Sequence, residues 1–392
     1  MQPQSPDVRL PPVAVVLGSY NQGGFVEATI RSIAAQTYRD FECVIVDDCS
    51  TDDSPARIEA VLAALGDPRF RAVLLRQNGG PMATMLTGLD ATTAPFVAFI
   101  DADDIWMPAF LERHVAAHLS ERGQAAVSAS DLAVIDANGV QISGSKPNFH
   151  LADLDAPPYS AKVETVDGET RTFVHRSIPG PWIWSATSGL VFRRTAIDAL
   201  RPLHPERIPM CADSYLVRSA HILGGTVRIE RSLGYYRMHG ANNYSRNPYF
   251  GDRVKLGDNW GKHEPAIREE LAFTICARAE GIVASLSNPY LARAVIDLVG
   301  RERAFALAEG SAGGRAMMAE APPEKPRRPG APGPKRPGPK GAGAKAARPG
   351  AARPERAETR PPPATAKGAQ RRRRSFLGRP ARRLGLARRT PG

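Results

Sequence analysis

Long apolar runs are missing from this 392-residue chain. No stretch approaches the roughly 20 apolar residues that a membrane-spanning helix requires. The opening MQPQSPDVRLPP has no apolar core of the kind a secretory signal needs, so neither a span nor export is expected. Cysteine is scarce as well. Cys43, Cys49, Cys211 and Cys276 show neither metal-ligand nor disulfide-framework spacing, which suits small core residues in a reducing cytosol. No internal repeat is evident. Large apolar residues all but vanish after residue 320, where Pro, Gly, Ala and Arg dominate and 21 Lys and Arg face 3 Asp and Glu, a net of +18. So little apolar surface cannot offset ordering entropy, and residues 321–392 are expected to be a disordered tail. Arg371 to Arg374 and the later Arg pairs suit peripheral contact with an anionic membrane; a merely solvated tail is the plainer alternative, and nucleic acid is not expected as a partner.

What remains is mildly acidic, with 31 Lys and Arg against 37 Asp and Glu over residues 1–320, a net of −6. That length allows one large α/β domain or a domain with a helical appendage. Val13 to Leu17, Cys43 to Val46, Ala72 to Leu75 and Phe96 to Ile100 are short apolar runs of the kind buried strands show. Between them Val26, Ile30 and Ile33, then Ile58, Val61 and Leu62, recur at helical spacing, and Asn78-Gly79-Gly80-Pro81 turns the chain into a short helix. Strands alternating with helices imply a mainly parallel sheet covered on both faces. Leu111, Val115 and Leu119 space a further helix, Ala125 to Ala129 a strand, and Asp136-Ala137-Asn138-Gly139 a hairpin between 133–135 and 140–142. Periodicity is poor from Ser143 to Pro181, which reads as a variable, substrate-side insertion. Leu190 to Phe192 forms a strand, Thr195 to Leu200 a helix, and residues 265–309 a set of C-terminal helices broken at Pro289.

Two acidic clusters stand where strands end: Asp47-Asp48 in VIVDDCSTDDS, and Asp101, Asp103 and Asp104 in VAFIDADDIWMP. Open α/β sheets bind ligands at such edges. Converging carboxylates repel one another and lose hydration, which calls for a divalent cation or a cationic partner, and oxygen-only ligands favour Mg2+ or Mn2+. Turn-capping is the alternative for these aspartates, and an N-cap of the following helix is the alternative for Asp47 or Asp48.

VAVVLGSYNQGGFVEATIRSIAAQTYRDFECVIVDDCSTDDS, then NGG, FIDADDIWMP and CADSYLVRSAHILGGTVRIERSLGYYRMHG, resemble glycosyltransferase family 2, over about residues 13–240. Order and spacing together carry the likeness; a D-x-D alone is weak. The resemblance implies a GT-A fold, Rossmann-like, with C-terminal helices and a basic tail. It implies a transferase domain over 1–250, with a nucleotide half at about 12–120 and an acceptor half at about 121–250, followed by a helical extension at 251–320. It further implies an inverting, metal-dependent enzyme that moves a sugar from a nucleotide-sugar, UDP-linked, to a hydroxyl of a glycan or lipid-linked glycan. The expected setting is bacterial envelope or exopolysaccharide assembly, in the cytoplasm or at the inner face of the plasma membrane.

Residue by residue, the resemblance places Ser19, Tyr20, Asn21, Asp48, Gly80, Asp101 and Arg237 at the donor, with Asp48 accepting a hydrogen bond from uracil. Asp103, Asp104 and His239 fall to the metal, and Asp213 to the general base. Trp182, Trp184, Ser188 and Gly189 fall to the acceptor side. Plainer roles stay open: Tyr20 as a packed loop aromatic, Asp213 as a helix N-cap, His239 as a structural histidine, and the tryptophans as core plugs. The chain departs from the family at Ala212, where many members carry a first acid. It also departs after Asn78-Gly79-Gly80, where Ala83-Thr84-Met85-Leu86 stands in place of an Arg-Asn pair. A nucleotidyltransferase is disfavoured because Gly18 to Gln22 has no basic residue for a triphosphate, and a non-catalytic adaptor acting through the tail is the other alternative.

Overall fold

The computed structural model describes residues 9–120, 125–143, 164–165, 171–175, 184–240, 242, 261–283 and 286–323. Trp182 and the tail beyond 323 lie outside the described residues. Three N-terminal strands, β1 (Val13–Ser19), β2 (Phe41–Asp47) and β3 (Phe70–Leu74), alternate with α1 (Val26–Ala34), α2 (Ser54–Leu65) and α3 (Gly80–Asp90), and lead into β4 (Phe96–Asp101). These four strands pair in parallel in the order β3-β2-β1-β4. Alternation along each strand sends Ala14, Val16, Val44, Val46, Val97 and Phe99 to one face, and Val13, Val15, Leu17, Cys43, Ile45 and Ile100 to the other. Both faces are covered, which is why these strands read as continuous apolar runs. On one face, α3 lies so close to β1 that a Cβ at Gly88 would run into the Val16 side chain.

After the two-residue β5 (Ile105–Trp106) and α4 (Phe110–Leu119), the sheet continues in mixed directions. It adds β10 (Leu190–Arg193), antiparallel to β4, then β6 (Val127–Asp136) and β11 (Thr226–Met238), parallel to each other, with β9 (Arg171–His175) and β8 (Glu164–Thr165) beyond. The short β7 (Gln141–Ser143) pairs with β6 across the expected hairpin, and β5 pairs with β11. The parallel, doubly covered half therefore matches expectation, and the second half is mixed. Two sequence readings need correction. The separate strands expected at 125–129 and 133–135 are one ten-residue strand, buried from 127 to 135. The thirteen-residue β11 was not foreseen: its polar Arg228, Glu230, Arg231 and Ser232, with bulges between Ile229 and Gly234, mask any alternation.

The helices α5 (Arg194–Ala199) and α6 (Ala212–Gly224) pack on the α3 face. So do α7 (Glu264–Val283), α8 (Asn288–Val299), α9 (Arg301–Ala308) and α10 (Ala312–Ala319). Ile267, Leu271, Ile275, Leu291, Val295 and Met317 join the same apolar cluster as Met85 and Leu216. The expected extension thus shares the core of the compact unit that spans residues 1–325. Among the described residues no helix is long and apolar enough to cross a membrane.

Candidate active site

Sheet register brings the acidic clusters together. Ser19 pairs with Asp47 on one side of β1, and Gly18 pairs with Asp101 on the other. The pattern continues past the strand ends: Asp48 N donates to Ser19 O at 2.8 Å, and Ala102 N donates to Gly18 O at 3.1 Å. Asp48 and the 101–104 loop therefore flank the end of β1 at one sheet edge.

The 101–104 loop is held on every side. Ser188 Oγ accepts from Asp101 N at 3.1 Å, and Ser188 O accepts from Trp106 Nε1 at 2.7 Å. Thr29 Oγ1 lies 2.8 Å from both Ala102 O and Asp104 O. From β11, Arg237 N donates to Asp104 Oδ1 at 2.9 Å and Arg237 Nε donates to Asp103 O at 2.8 Å. Arg237 Nη1 reaches Asp136 O and Ala137 O at 3.2 and 3.3 Å, and the guanidinium lies over the Phe25 ring. Arg237 is buried, and its guanidinium ties the loop to β11 and the hairpin.

Asp103 and His239 form a largely buried pair at the edge of the site, with Asp103 Oδ2 and His239 Nε2 2.9 Å apart. Phe25 packs against the His239 ring at 4.9 Å, and Asn242 accepts from His239 N and donates to Arg237 O, fixing the end of β11. Asp104 is wholly buried and turned to the β11 backbone, its Oδ1 accepting from Arg237 N. Burial first, then the charges of Asp103 and Asp101, push its carboxyl well above the ordinary range, against the Ser188 hydroxyl and the Arg237 N–H.

The residues present fit a divalent cation in part. Two ligands at about 2.1 Å from an octahedral ion stand about 3 Å apart, close to the Asp103–His239 separation. Among the described residues no three His, Cys, Asp or Glu side chains gather around one point. Mg2+ and Mn2+ tolerate that, because substrate phosphates and waters commonly complete their shell.

On the other flank, Asp47 is buried and accepts from Ser50 N and Ser50 Oγ at 2.8 and 2.6 Å, shaping the turn. Asp48 Oδ1 and Oδ2 accept from Gly79 N and Gly80 N, both at 2.8 Å, at the start of α3. Asp48 thus closes that turn. Gly80 has φ +78°, and a Cβ there would sit 3.1 Å from Pro209 O. Asn21, at φ 54°, accepts from Thr51 N at 2.8 Å and lashes the first loop to the second. Ser19 is buried with an unpartnered Oγ among the described residues, and Tyr20 is half exposed.

The Pro209 contact places the segment before α6 over the start of α3, on the Asp48 side. Asp213 lies in the first turn of α6, partly exposed, with Oδ1 accepting from Ser214 N at 2.9 Å. Of the residues expected on the acceptor side, Trp184, Ser188 and Gly189 are described. Trp184 is a buried plug, its Nε1 on Thr226 Oγ1 at 2.8 Å and its ring edge-on to His221, so no face is open to a sugar. Ser188 and Gly189 are buried beneath the 101–104 loop, where a Cβ at Gly189 would strike Ser185. Sequence reasoning missed Phe25, Thr29 and Asn242. Phe25 and Asn242 adjoin recognised motifs, but Thr29 is one polar residue in a helix, with no local signal.

The chain is thus a mixed α/β sheet of GT-A type, with paired acidic loops at the ends of its central parallel strands and an Asp–His pair between β4 and β11. Residues 14–149 match the profile described as Glycosyl transferase family 2, and the chain carries a domain of that family. An uncharacterised glycosyltransferase of Nostoc sp. is 31% identical over 235 residues, covering 59% of this chain and 66% of the relative. The succinoglycan biosynthesis protein ExoO of Rhizobium meliloti is 27% identical, covering 60% and 62%. The Escherichia coli UDP-Glc:alpha-D-GlcNAc-diphosphoundecaprenol beta-1,3-glucosyltransferase WfgD is 29% identical, covering 26% and 40%. The chain spans less than two thirds of the length of these curated relatives. S. aureus TarS in complex with UDP-GlcNAc aligns over 79% of this chain and 88% of its own, at 17% identity and a TM-score of 0.45.

Proposed function

We propose that this protein is an inverting, metal-dependent glycosyltransferase that moves a sugar from a UDP-linked donor to a hydroxyl of a glycan or lipid-linked glycan, in bacterial envelope or exopolysaccharide assembly. The observation that carries the reading is the Asp103–His239 pair at the strand-end edge of a family 2 domain. Names among the relatives, succinoglycan biosynthesis and a UDP-Glc transferase acting on a diphosphoundecaprenol-linked sugar, support the donor and acceptor classes.

In this reading the loop at Ser19 to Asn21 borders the nucleotide. Asp48 keeps a second lone pair on each oxygen, and a uracil N–H suits an acceptor-only group. Asp103 and His239 would hold Mg2+ or Mn2+, which when bound would neutralise the diphosphate leaving group. Asp213 takes the proton of the acceptor hydroxyl as its oxygen attacks the anomeric carbon; the bond to the diphosphate breaks on the opposite side, and the configuration inverts. Asp101 sits beside the same edge, within reach of the ribose. The basic tail would hold the chain at the inner face of the plasma membrane.

A panel of UDP-, GDP- and dTDP-sugars, tested with manganese for binding and slow hydrolysis, checks this. One UDP-sugar should bind and release UDP, Asp103→Ala should lose manganese-dependent binding, and Asp213→Asn should bind donor without turnover. Equal activity in all three proteins would reject the assignment.

A further inference from the structure

The helix α7 grips the segment that delivers Asp213 at two points. Upstream, Glu270 is wholly buried; its Oε1 accepts from His204 N at 2.8 Å, and its Oε2 lies 3.4 Å from Arg207 Nη1. Downstream, Glu264 Oε1 accepts from Ser214 Oγ at 2.6 Å, next to Asp213. Glu264 Oε2 pairs with Arg218 Nη2 at 3.1 Å and Arg268 Nε at 3.2 Å, and Arg218 Nε returns to Ser214 Oγ at 3.3 Å. Burial works against ionisation of Glu264, but Arg218, Ser214 and Arg268 outweigh it and hold its carboxyl below the ordinary range.

Between the two grips the chain makes a demanding turn. Cys211, the residue capping α6, has φ 57° and ψ 43°, a left-handed conformation that costs a side-chain-bearing residue about 1–2 kcal/mol. Such a conformation persists only where the surroundings over-determine it. Pro209 O lies 3.1 Å from where a Cβ on Gly80 would stand at the start of α3, and α7 holds the segment on either side of the turn. A buried carboxylate is costly unless fully paired. One buried carboxylate, Glu270, and one partly exposed but doubly paired one, Glu264, both aimed at the 204–214 segment from one helix, answer a need to fix that segment rather than a need for packing.

We infer that Glu264 and Glu270 are positioning residues for Asp213, so that α7, outside the span matched by the family profile, is part of the catalytic apparatus. The inference rests on Asp213 acting as the base. Misplacing a reacting group by about 1 Å can cost on the order of 100-fold in rate, so loss of either grip should lower kcat and leave donor affinity intact.

The test uses the full chain, with UDP for binding and hydrolysis of the UDP-sugar it turns over as the readout. Glu264→Ala and Glu270→Gln are expected to bind UDP within twofold of the native protein, with an unchanged donor KM and a kcat lowered at least tenfold. Glu264→Gln, which still offers Ser214 an acceptor but cannot pair with the arginines, should recover part of that loss. A merely structural role would lower the melting temperature and leave kcat per folded molecule unchanged. Native kcat in Glu264→Ala and Glu264→Gln, with Asp213→Asn inactive, overturns the inference alone. Activity in Asp213→Asn instead removes the base assignment beneath it. Should Glu270→Gln fail to fold, the partly exposed Glu264 variants decide.

Discussion

At the scale of single residues, each aspartate of the site is distinguished by the partner its carboxylate meets. Asp47 shapes a turn with Ser50, Asp48 ties down Gly79 and Gly80, Asp104 is buried against β11, and Asp103 faces His239. Four like residues thus meet four different partners, and in the proposed function Asp103 is the one that would share a cation. Asp103→Asn should abolish manganese-dependent UDP binding in calorimetry while leaving the melting temperature within a few degrees, because its carboxylate is partly solvated. Gly80 makes a different prediction. Alanine there carries the left-handed penalty of about 1–2 kcal/mol and presses on Pro209 O. Gly80→Ala should lower the denaturation midpoint accordingly and weaken UDP binding by loosening the Asp48 turn.

At the scale of elements, β11 and α4 have consequences of their own. Removing the fork of Arg237 leaves Asp103 O, Asp136 O and Ala137 O without their donor at a partly buried place. Arg237→Lys should cost roughly 2–4 kcal/mol of stability and weaken manganese binding, even though Arg237 need not touch the donor. The α4 helix carries two fully buried histidines. His114 sits between Ser128 and Ser130, and His118 Nε2 meets Val191 O. Burial keeps His114 well below its ordinary range and pushes His118 down to about 4. Both are neutral in the fold, whereas the unfolded chain takes up protons below about pH 6.5. The folded state therefore keeps its full stability above that pH and loses it as pH falls toward 4. At about 1.4 kcal/mol per pH unit the His118 loss approaches roughly 3 kcal/mol. Chemical denaturation between pH 7 and 4 should show this decline, with a shallower slope in His118→Phe; a slope unchanged by that substitution would remove His118 as the cause.

At the scale of the whole molecule, the charge is split between a mildly acidic body and a tail of net +18. Truncation after residue 325 should leave the fold and the hydrolysis rate intact, since the compact unit ends there. Binding to phosphatidylglycerol vesicles should fall and its salt dependence vanish, while binding to phosphatidylcholine stays weak in both forms. Retained vesicle binding in the truncated chain would place the membrane contact elsewhere.

The chain's own order of residues determined the four parallel strands, the helices between them, the acidic strand ends and the hairpin at 136–139. Each of these depends on neighbours within a few positions: strand alternation, helical spacing and turn chemistry act locally. Tertiary structure alone decided which acid meets His239, that Arg237 is spent on the loop, that Trp184 is core, and that Glu264 and Glu270 reach Ser214 and His204 on either side of the turn into α6. Those outcomes depend on groups 40 to 140 positions apart meeting in space, such as Asp103 with His239 and Ser214 with Glu264. Burial and pairing between distant segments leave no periodic trace in either segment, so they could be read only once the sheet was assembled.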